Sequence, residues 1–360
     1  MKKQKTAIIY CEANFGKLDG KTANGLIRYS DEYKILAVID STKANLDSGV
    51  VLDNIPNGIP IYDSYISALK ELPNKANYFI LGMAPATGIL SNKERKIIME
   101  IIKLGINIIN GLHVFLNDDP ELSFTAAKHN VKILDIRKPP EKKNLRIYNG
   151  DISKVTCPII AILGTDCAIG KRTTTNILTK IFNEAGYKAV MVGTGQTSLI
   201  QGAKYGVAID AIPSQFCIGE LEATVVSAFN EEQPDIIFVE GQSSLSHPAF
   251  SSSSFILRAC CPDAVILQHA PKREYRCDFE NIKMPKLSNE INLIETFSQT
   301  KVIGISINHE NIDAAEIKQI INNYSKKYKI PTADALRSSP DYFIDMIVSE
   351  FPQLSGKFNT

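Results

Sequence analysis

One stretch constrains this chain more than any other. An apolar run at residues 159–163 meets Gly164-Thr165-Asp166-Cys167-Ala168-Ile169-Gly170-Lys171-Arg172-Thr173-Thr174 and passes into a helical pattern that Gly186 stops. A strand, a tight loop and a helix in that order make a phosphate cradle. Backbone N–H groups must point inward, and glycines at both ends let the chain come close to an anion. Lys171 adds a mobile cation, and the helix beginning there presents unsatisfied N–H groups and the positive end of its dipole.

The match to G-x-x-x-x-G-K-[ST] is imperfect in two places. The first glycine lies one residue further back, and Arg172 stands where the metal-ligating hydroxyl belongs. Either Thr173 or Thr174 reaches a magnesium ion from the next helical positions, or Arg172 replaces metal charge with a planar fork of donors. The second option is a metal-free phosphate site.

Length and charge bound the rest. The 360 residues suffice for about two domains, and 44% hydrophobic with 22% charged residues describes a globular chain. A formal charge of +1 gives no overall field for nucleic acid or an anionic bilayer, so neither is expected as a partner. The basic start runs into a strand too short for a signal or membrane segment, and a cytoplasmic location is expected. Seven cysteines without a C-x-x-C pair suggest reduced thiols, with Cys260-Cys261 expected in a buried strand. No metal-ligand spacing of Cys and His is present, and no metal is expected.

Residues 1–150 alternate strands, at 7–10, 35–39, 78–81, 106–109 and 132–136, with helical patterns at 22–29, 92–104 and 120–129. Apolar strands separated by helices mean a parallel sheet covered on both faces, hence a Rossmann-like α/β domain. The dinucleotide fingerprint G-x-G-x-x-G is absent after the first strand. Gly16-Lys17 and Gly20-Lys21-Thr22 read as a solvated, lysine-rich turn, with an anion held at the start of the following helix as the alternative, and Asp40 reads as a turn residue. Gly82-Met83-Ala84-Pro85-Ala86-Thr87-Gly88 and Asn110-Gly111-Leu112-His113 follow strand ends, where open α/β sheets bind ligands.

A charged, proline-bearing stretch at 135–155 breaks the pattern and places the domain boundary near 150. Residues 151–360 then form a second doubly wound domain of P-loop NTPase type. Its further strands at 188–192, 236–239, 264–268 and 302–307 each deliver polar residues to their ends: Gln196 and Thr197, Glu240, His269, and Asn308. Gln196 and Thr197 are assigned to substrate, and Asn308 joins residues 164–174 as cofactor-binding.

Gly164-Thr165-Asp166 with Gly170-Lys171 and Val239-Glu240-Gly241 resembles the dethiobiotin synthetase group of P-loop enzymes, whose GTD…GK loop and strand-end Glu hold nucleotide phosphates and magnesium. A nearer resemblance runs almost the whole length of the chain. Leu81 to Ala86, Asn110 to Leu116, Asp135 to Pro140, Gly164 to Thr174, Gly193 to Thr197 and Val239 to Gln242 resemble a two-domain family long catalogued as a domain of unknown function. A described member of that family is a D-glutamate N-acetyltransferase.

The nearer resemblance implies acetyl-CoA as cofactor, a small acidic amino acid as substrate, and a loop that grips CoA phosphates without hydrolysing them. The dethiobiotin synthetase likeness implies instead a ligase or kinase that uses ATP with magnesium, and by analogy a homo-oligomer; a non-catalytic nucleotide-binding module is a third reading, since a fold alone does not establish turnover. Acyl transfer to an amine needs a base and donors for the developing oxyanion. Glu240 is the first choice for the base because it ends a strand beside the loop. Glu220 and Glu222 are expected on a solvated helical face. His247 and His269 are further catalytic candidates, and Arg273 is assigned to the substrate carboxylate. Cys167 inside the loop is either a thiolate nucleophile or simply a small loop residue.

Overall fold

The computed structural model describes residues 5–73, 76–84, 88, 90–277 and 279–357. Contacts divide the chain into two compact units. One holds the residues up to Pro140 together with Gly195–Ala203, and the other holds Glu141–Thr194 and the chain from Lys204 onward.

The first unit runs β1 (Lys5–Tyr10), α1 (Lys21–Arg28), β2 (Tyr33–Ile39), α2 (Ser48–Asp53), β3 (Ile61–Tyr62), α3 (Tyr65–Glu71), β4 (Tyr78–Leu81), α4 (Asn92–Lys103), β5 (Asn107–Asn110), α5 (Pro120–Lys128) and β6 (Ile133–Asp135). Local chemistry sets the helix starts. Ser91 and Glu94 close a capping box at α4, and Asp119 caps α5 ahead of Pro120. The six strands are parallel in the order β3-β2-β1-β4-β5-β6, the doubly wound Rossmann order.

Three elements between residues 40 and 77 are absent from the sequence reading: α2, β3 and α3. Each is short, and the two-residue β3 is a strand only because β2 offers it a free edge. Asp40 takes the N–H groups of Ala13 and Phe15 at 3.1 and 3.0 Å, with Thr42 N–H and hydroxyl on the same carboxylate. The acid that often holds a ribose in such folds here pins the loop after β1. Lys17 and Lys21 are exposed, but Gly20 and Thr22 are buried and Lys21 opens α1, so the expected solvated turn holds for the lysine side chains alone. Asn110 is tied to Val114 O and to Asp135, both at 2.7 Å. Pro85, Ala86 and Thr87 lie outside the described residues.

The second unit carries β7 (Ile159–Gly164), α6 (Lys171–Glu184) and β8 (Ala189–Gly193); after α7 (Gln196–Gln201) come β9 (Tyr205–Gly206), α8 (Ser214–Glu232), β10 (Ile236–Glu240), α9 (Ser252–Cys260), β11 (Ala264–His269), the hairpin β12 (Tyr275–Arg276) and β13 (Phe279–Lys283), α10 (Leu287–Ser298), β14 (Lys301–Ile307), α11 (Ala314–Tyr328), β15 (Thr332–Ala333) and α12 (Pro340–Glu350). The main sheet is parallel in the order β15-β14-β11-β7-β10-β8-β9. Its core is two-sided: Ile159, Ala161 and Leu163 of β7 enter one apolar cluster, Ile160 and Ile162 the other. That is why β7 reads as an unbroken apolar run.

Helix α7 belongs to the first unit although it follows β8 in the chain. Thr197 and Thr22 share a hydroxyl hydrogen bond at 2.9 Å, and the Gln201 amide donates to Gly25 O and Tyr29 O. The spatial division thus differs from the sequence boundary at 150 by residues 141–150 and 195–203, and it moves Gln196 and Thr197 out of the P-loop unit. Contacts between residues 172 to 176 positions apart decide this, and no local pattern carries them.

Two further expectations are corrected. Cys260 is buried as the last residue of α9, not in a strand, and Cys261 is exposed with φ +40° where the helix turns left-handed ahead of Pro262. Glu220 and Glu222 are buried rather than solvated. Glu220 receives the N–H and guanidinium of Arg146, and Glu222 receives Asn149 N–H and Ile152 N–H at 2.9 and 3.1 Å. They anchor the segment that leads into β7.

Candidate functional site

The turn from β7 into α6 builds the centre of the second unit. At Gly164 a Cβ would lie 2.8 Å from Ile169 Cδ1 and 2.9 Å from Lys171 Cδ, so only glycine lets the lysine stem fold back over the strand end. Gly170 closes the loop at φ +100°, a region that side chains rarely adopt.

The loop carbonyls are held by side chains. Arg273, from the segment after β11, donates to Cys167 O at 2.8 Å and Ala168 O at 3.4 Å. Asn308, at the end of β14, donates to Ile169 O at 2.9 Å, and Lys171 Nζ donates to Asp166 O. Four consecutive carbonyls are thereby engaged, which leaves N–H groups as the loop's backbone contribution to an incoming anion. Lys171 is buried, and burial holds its ammonium below the usual lysine range against the opposing charges of Cys167 and Asp166.

Beneath the loop the hydroxyls are already committed. Thr174 Oγ1 donates to Gln268 Oε1 at 2.6 Å, and Thr165 Oγ1 is hydrogen-bonded to His269 Nδ1 at 2.9 Å. His269 lies 5.8 Å from the Tyr324 ring, and burial pushes its pKa down to about 4, so the imidazole is neutral. Arg172 and Thr173 are half-buried on the first turn of α6.

Glu240 ends β10 next to β7, where Gly241 is required because a Cβ would meet Ile162 O at 2.1 Å. One carboxylate oxygen of Glu240 accepts Thr194 N–H at 2.9 Å, and the Thr194 hydroxyl returns a bond to Glu240 O at 3.0 Å. Its charge also acts on Lys171.

A line of alternating charge braces the loop. Glu310 takes both arms of Arg273 at 2.7 and 2.8 Å, and Arg273 reaches Asp166 Oδ2 at 3.0 Å. Asp166 Oδ1 lies 3.6 Å from the buried Arg276, which donates to Ser244 Oγ at 2.9 Å and to Ser246 O and Oγ. Glu290, fully buried on α10 with its carboxyl pushed up by desolvation, accepts Leu245 N–H, Ser246 N–H and the Ser246 hydroxyl. Arg273, assigned from sequence to a substrate carboxylate, spends its donors on the loop. Glu290, Glu310 and the buried role of Arg276 escaped sequence reasoning, because charges far apart in the chain carry no joint pattern. The nearness of Lys272, Arg273 and Arg276 in the chain marks a basic segment but not its partners.

Asp166, Cys167 and His247 also converge. A carboxylate oxygen, the thiol sulfur and a ring nitrogen lie within 4.8 Å of one another. Such a trio has the atoms of a metal site, but its surroundings suit an anion better. Ala249 N–H donates to His247 Nδ1 at 3.2 Å, which puts the proton of the neutral ring on Nε2, the nitrogen 3.8 Å from Asp166 Oδ1. Lys171, Arg273 and Arg276 add positive charge close by.

Residues 146–344 match the family model described as a domain of unknown function (DUF1611_C), P-loop domain, and residues 41–139 match the DUF1611_N Rossmann-like domain. The chain belongs to the DUF1611 family. A crystal structure of a DUF1611 family protein from Anabaena variabilis superimposes with a TM-score of 0.88 at 27% identity, covering 96% of this chain and 100% of that one. A relative from Pseudoalteromonas, 34% identical over 276 residues and spanning 75% of this chain and 80% of its own length, bears the name D-glutamate N-acetyltransferase. One from Tritonibacter scottomollicae with the same name is 25% identical over 280 residues, 76% of this chain and 82% of its own. Among the described residues of this DUF1611 member, no helix is long and apolar enough to cross a membrane.

Proposed function

We propose that this DUF1611 protein is an N-acetyltransferase that moves acetyl from acetyl-CoA to the amino group of an acidic amino acid, with D-glutamate the first substrate to try. The observation that carries the reading is the 34% identity to a D-glutamate N-acetyltransferase over three quarters of the chain. The loop is consistent with it. Arg172 replaces the metal-ligating hydroxyl, and Thr174, one of two hydroxyls that could have substituted, is committed to Gln268. A cradle of N–H groups, Lys171 and Arg172 suits the pyrophosphate or 3′-phosphate of CoA.

In this reading the loop from Gly164 to Thr174 and its brace Asn308 hold the cofactor, and Arg273 is reassigned from substrate to brace. The amine attacks the thioester carbonyl, the C–S bond breaks, CoA leaves as the thiol, and one proton passes from the ammonium to solvent. Glu240 is the group we assign to that proton, from its buried place beside the loop. His247 lends an Nε2–H donor near Asp166, and neutral His269 orients the Thr165 hydroxyl. Release of CoA thiol is measured with a panel of D- and L-amino acids, and no release above background with any acidic amino acid refutes the reading.

One observation favours a second reading. Glu240 ends the strand beside the loop, where a carboxylate can hold magnesium, so ATP with magnesium in a ligase or kinase is the alternative. Calorimetry separates the two: acetyl-CoA binding without magnesium, together with no ATP binding in its presence, rejects the second.

A further inference from the structure

Five of the seven cysteines are held towards the neutral thiol by their surroundings. Burial pushes the thiols of Cys11, Cys157, Cys217, Cys260 and Cys261 up, Cys217 to about 11 and Cys157 to about 12. Cys167 differs in its surroundings. It is partly exposed, it sits in the loop that opens α6, Arg273 bonds its own carbonyl, and Lys171 interacts with its charge. Arg276 lies 3.6 Å from Asp166 Oδ1. The opposing anions are Asp166 and Glu240, and the remaining titratable neighbours are His247 and Cys277.

The second observation is an unmatched acceptor. Asp166 is fully buried; its Oδ2 accepts from Arg273 and from Cys277 N–H at 2.9 Å, whereas Oδ1 is buried with no hydrogen-bond partner. An orphaned carboxylate oxygen is costly in an interior, and groups of this kind mark places where another species belongs. Two donors stand close to it but beyond hydrogen-bond reach, the Arg276 guanidinium at 3.6 Å and His247 Nε2 at 3.8 Å, and the Cys167 sulfur lies within 4.8 Å of a carboxylate oxygen of the same residue. A thiol is a poor donor, and a sulfenic acid supplies a strong O–H.

We propose that Cys167 is an oxidative modification site, that a hydroperoxide converts it to a sulfenic acid, and that the new hydroxyl donates to Asp166 Oδ1. The thiolate attacks the terminal oxygen of the hydroperoxide, the O–O bond breaks, sulfur is oxidised by two electrons, and the other oxygen takes a proton and leaves as the alcohol, or as water where the oxidant is hydrogen peroxide. The added oxygen stands inside the anion cradle, so oxidation and anion binding exclude each other. The inference is independent of the acetyltransferase reading, because modification requires no turnover.

The test uses the full chain. Hydrogen peroxide is applied with dimedone as trap, peptides are mapped by mass spectrometry, and iodoacetamide rates at pH 7 are compared between Cys167 and the exposed Cys261. Cys167 is expected to carry the dimedone adduct and to alkylate roughly ten-fold faster than Cys261, whose thiol burial pushes up, whereas the Lys171 charge acts on Cys167. Inorganic phosphate is expected to slow both reactions, and Cys167→Ser to abolish the adduct. Equal or slower alkylation at Cys167, adducts confined to other cysteines, or a stoichiometric zinc ion bound through Cys167 would each overturn it. A protein with no acetyltransferase activity that still labels at Cys167 retains this inference and loses the other.

Discussion

Replacing Lys171 by Met tests the phosphate-loop assignment most directly. Methionine keeps most of the stem that packs on Gly164 and removes only the ammonium, whose protein contact is the carbonyl of Asp166. A charged hydrogen bond contributes about 1.5 to 3 kcal/mol, which corresponds to roughly ten- to a hundred-fold in affinity. The upper half of that range is expected. Lys171 is already desolvated in the free protein, so an arriving anion meets the charge in a low-dielectric setting. Binding of an anion also favours the protonated amine. Affinity should therefore fall with rising pH earlier than for a lysine with an ordinary pKa, and Lys171→Met should lose that pH dependence. The assay is calorimetry with acetyl-CoA and with ATP, and thermal unfolding checks the fold. A Lys171→Met protein that unfolds like the parent and binds both ligands as the parent does would refute the loop as an anion site.

Arg172→Ser separates the two cofactor readings: under the first, affinity for acetyl-CoA should fall, whereas under the second, magnesium-dependent ATP binding should be unharmed or strengthened. His269 is neutral when folded, with a pKa near 4 against 6.5 for the free side chain. Between those values the unfolded chain binds the extra proton, so stability is lost as pH falls from 6.5 towards 4, by up to about 3 kcal/mol. Urea unfolding of the parent and of His269→Gln at pH 7 and pH 4.5 measures it, and an identical pH slope in both would count against the assignment. Arg273→Ala should release the carbonyls of Cys167 and Ala168, raising hydrogen exchange across residues 166–170 and weakening acetyl-CoA binding, with Arg273→Lys intermediate because it loses the two-armed grip on Glu310. Unchanged exchange in Arg273→Ala would show the brace to be idle.

The sequence by itself determined the two α/β layouts and the anion loop, because those depend on neighbours in the chain. Apolar runs such as 159–163 and 236–239 specify strands buried on both faces, the patterns at 92–104 and 120–129 specify helices, and Gly164 to Lys171 specifies a tight, N–H-lined turn. The tertiary structure decided what each charged group does. Arg273, read as a substrate ligand, is consumed by Glu310, Asp166 and two carbonyls; Glu220 and Glu222, read as solvated, anchor residues 146–152; Gln196 and Thr197 fold with the other unit. The physical reason is range. Strand and helix signals repeat every two to four residues along one segment, whereas the partners of a buried charge are set by strand order, and here Asp166, His247, Arg276 and Glu290 come from four segments up to 124 residues apart that only a folded sheet brings together.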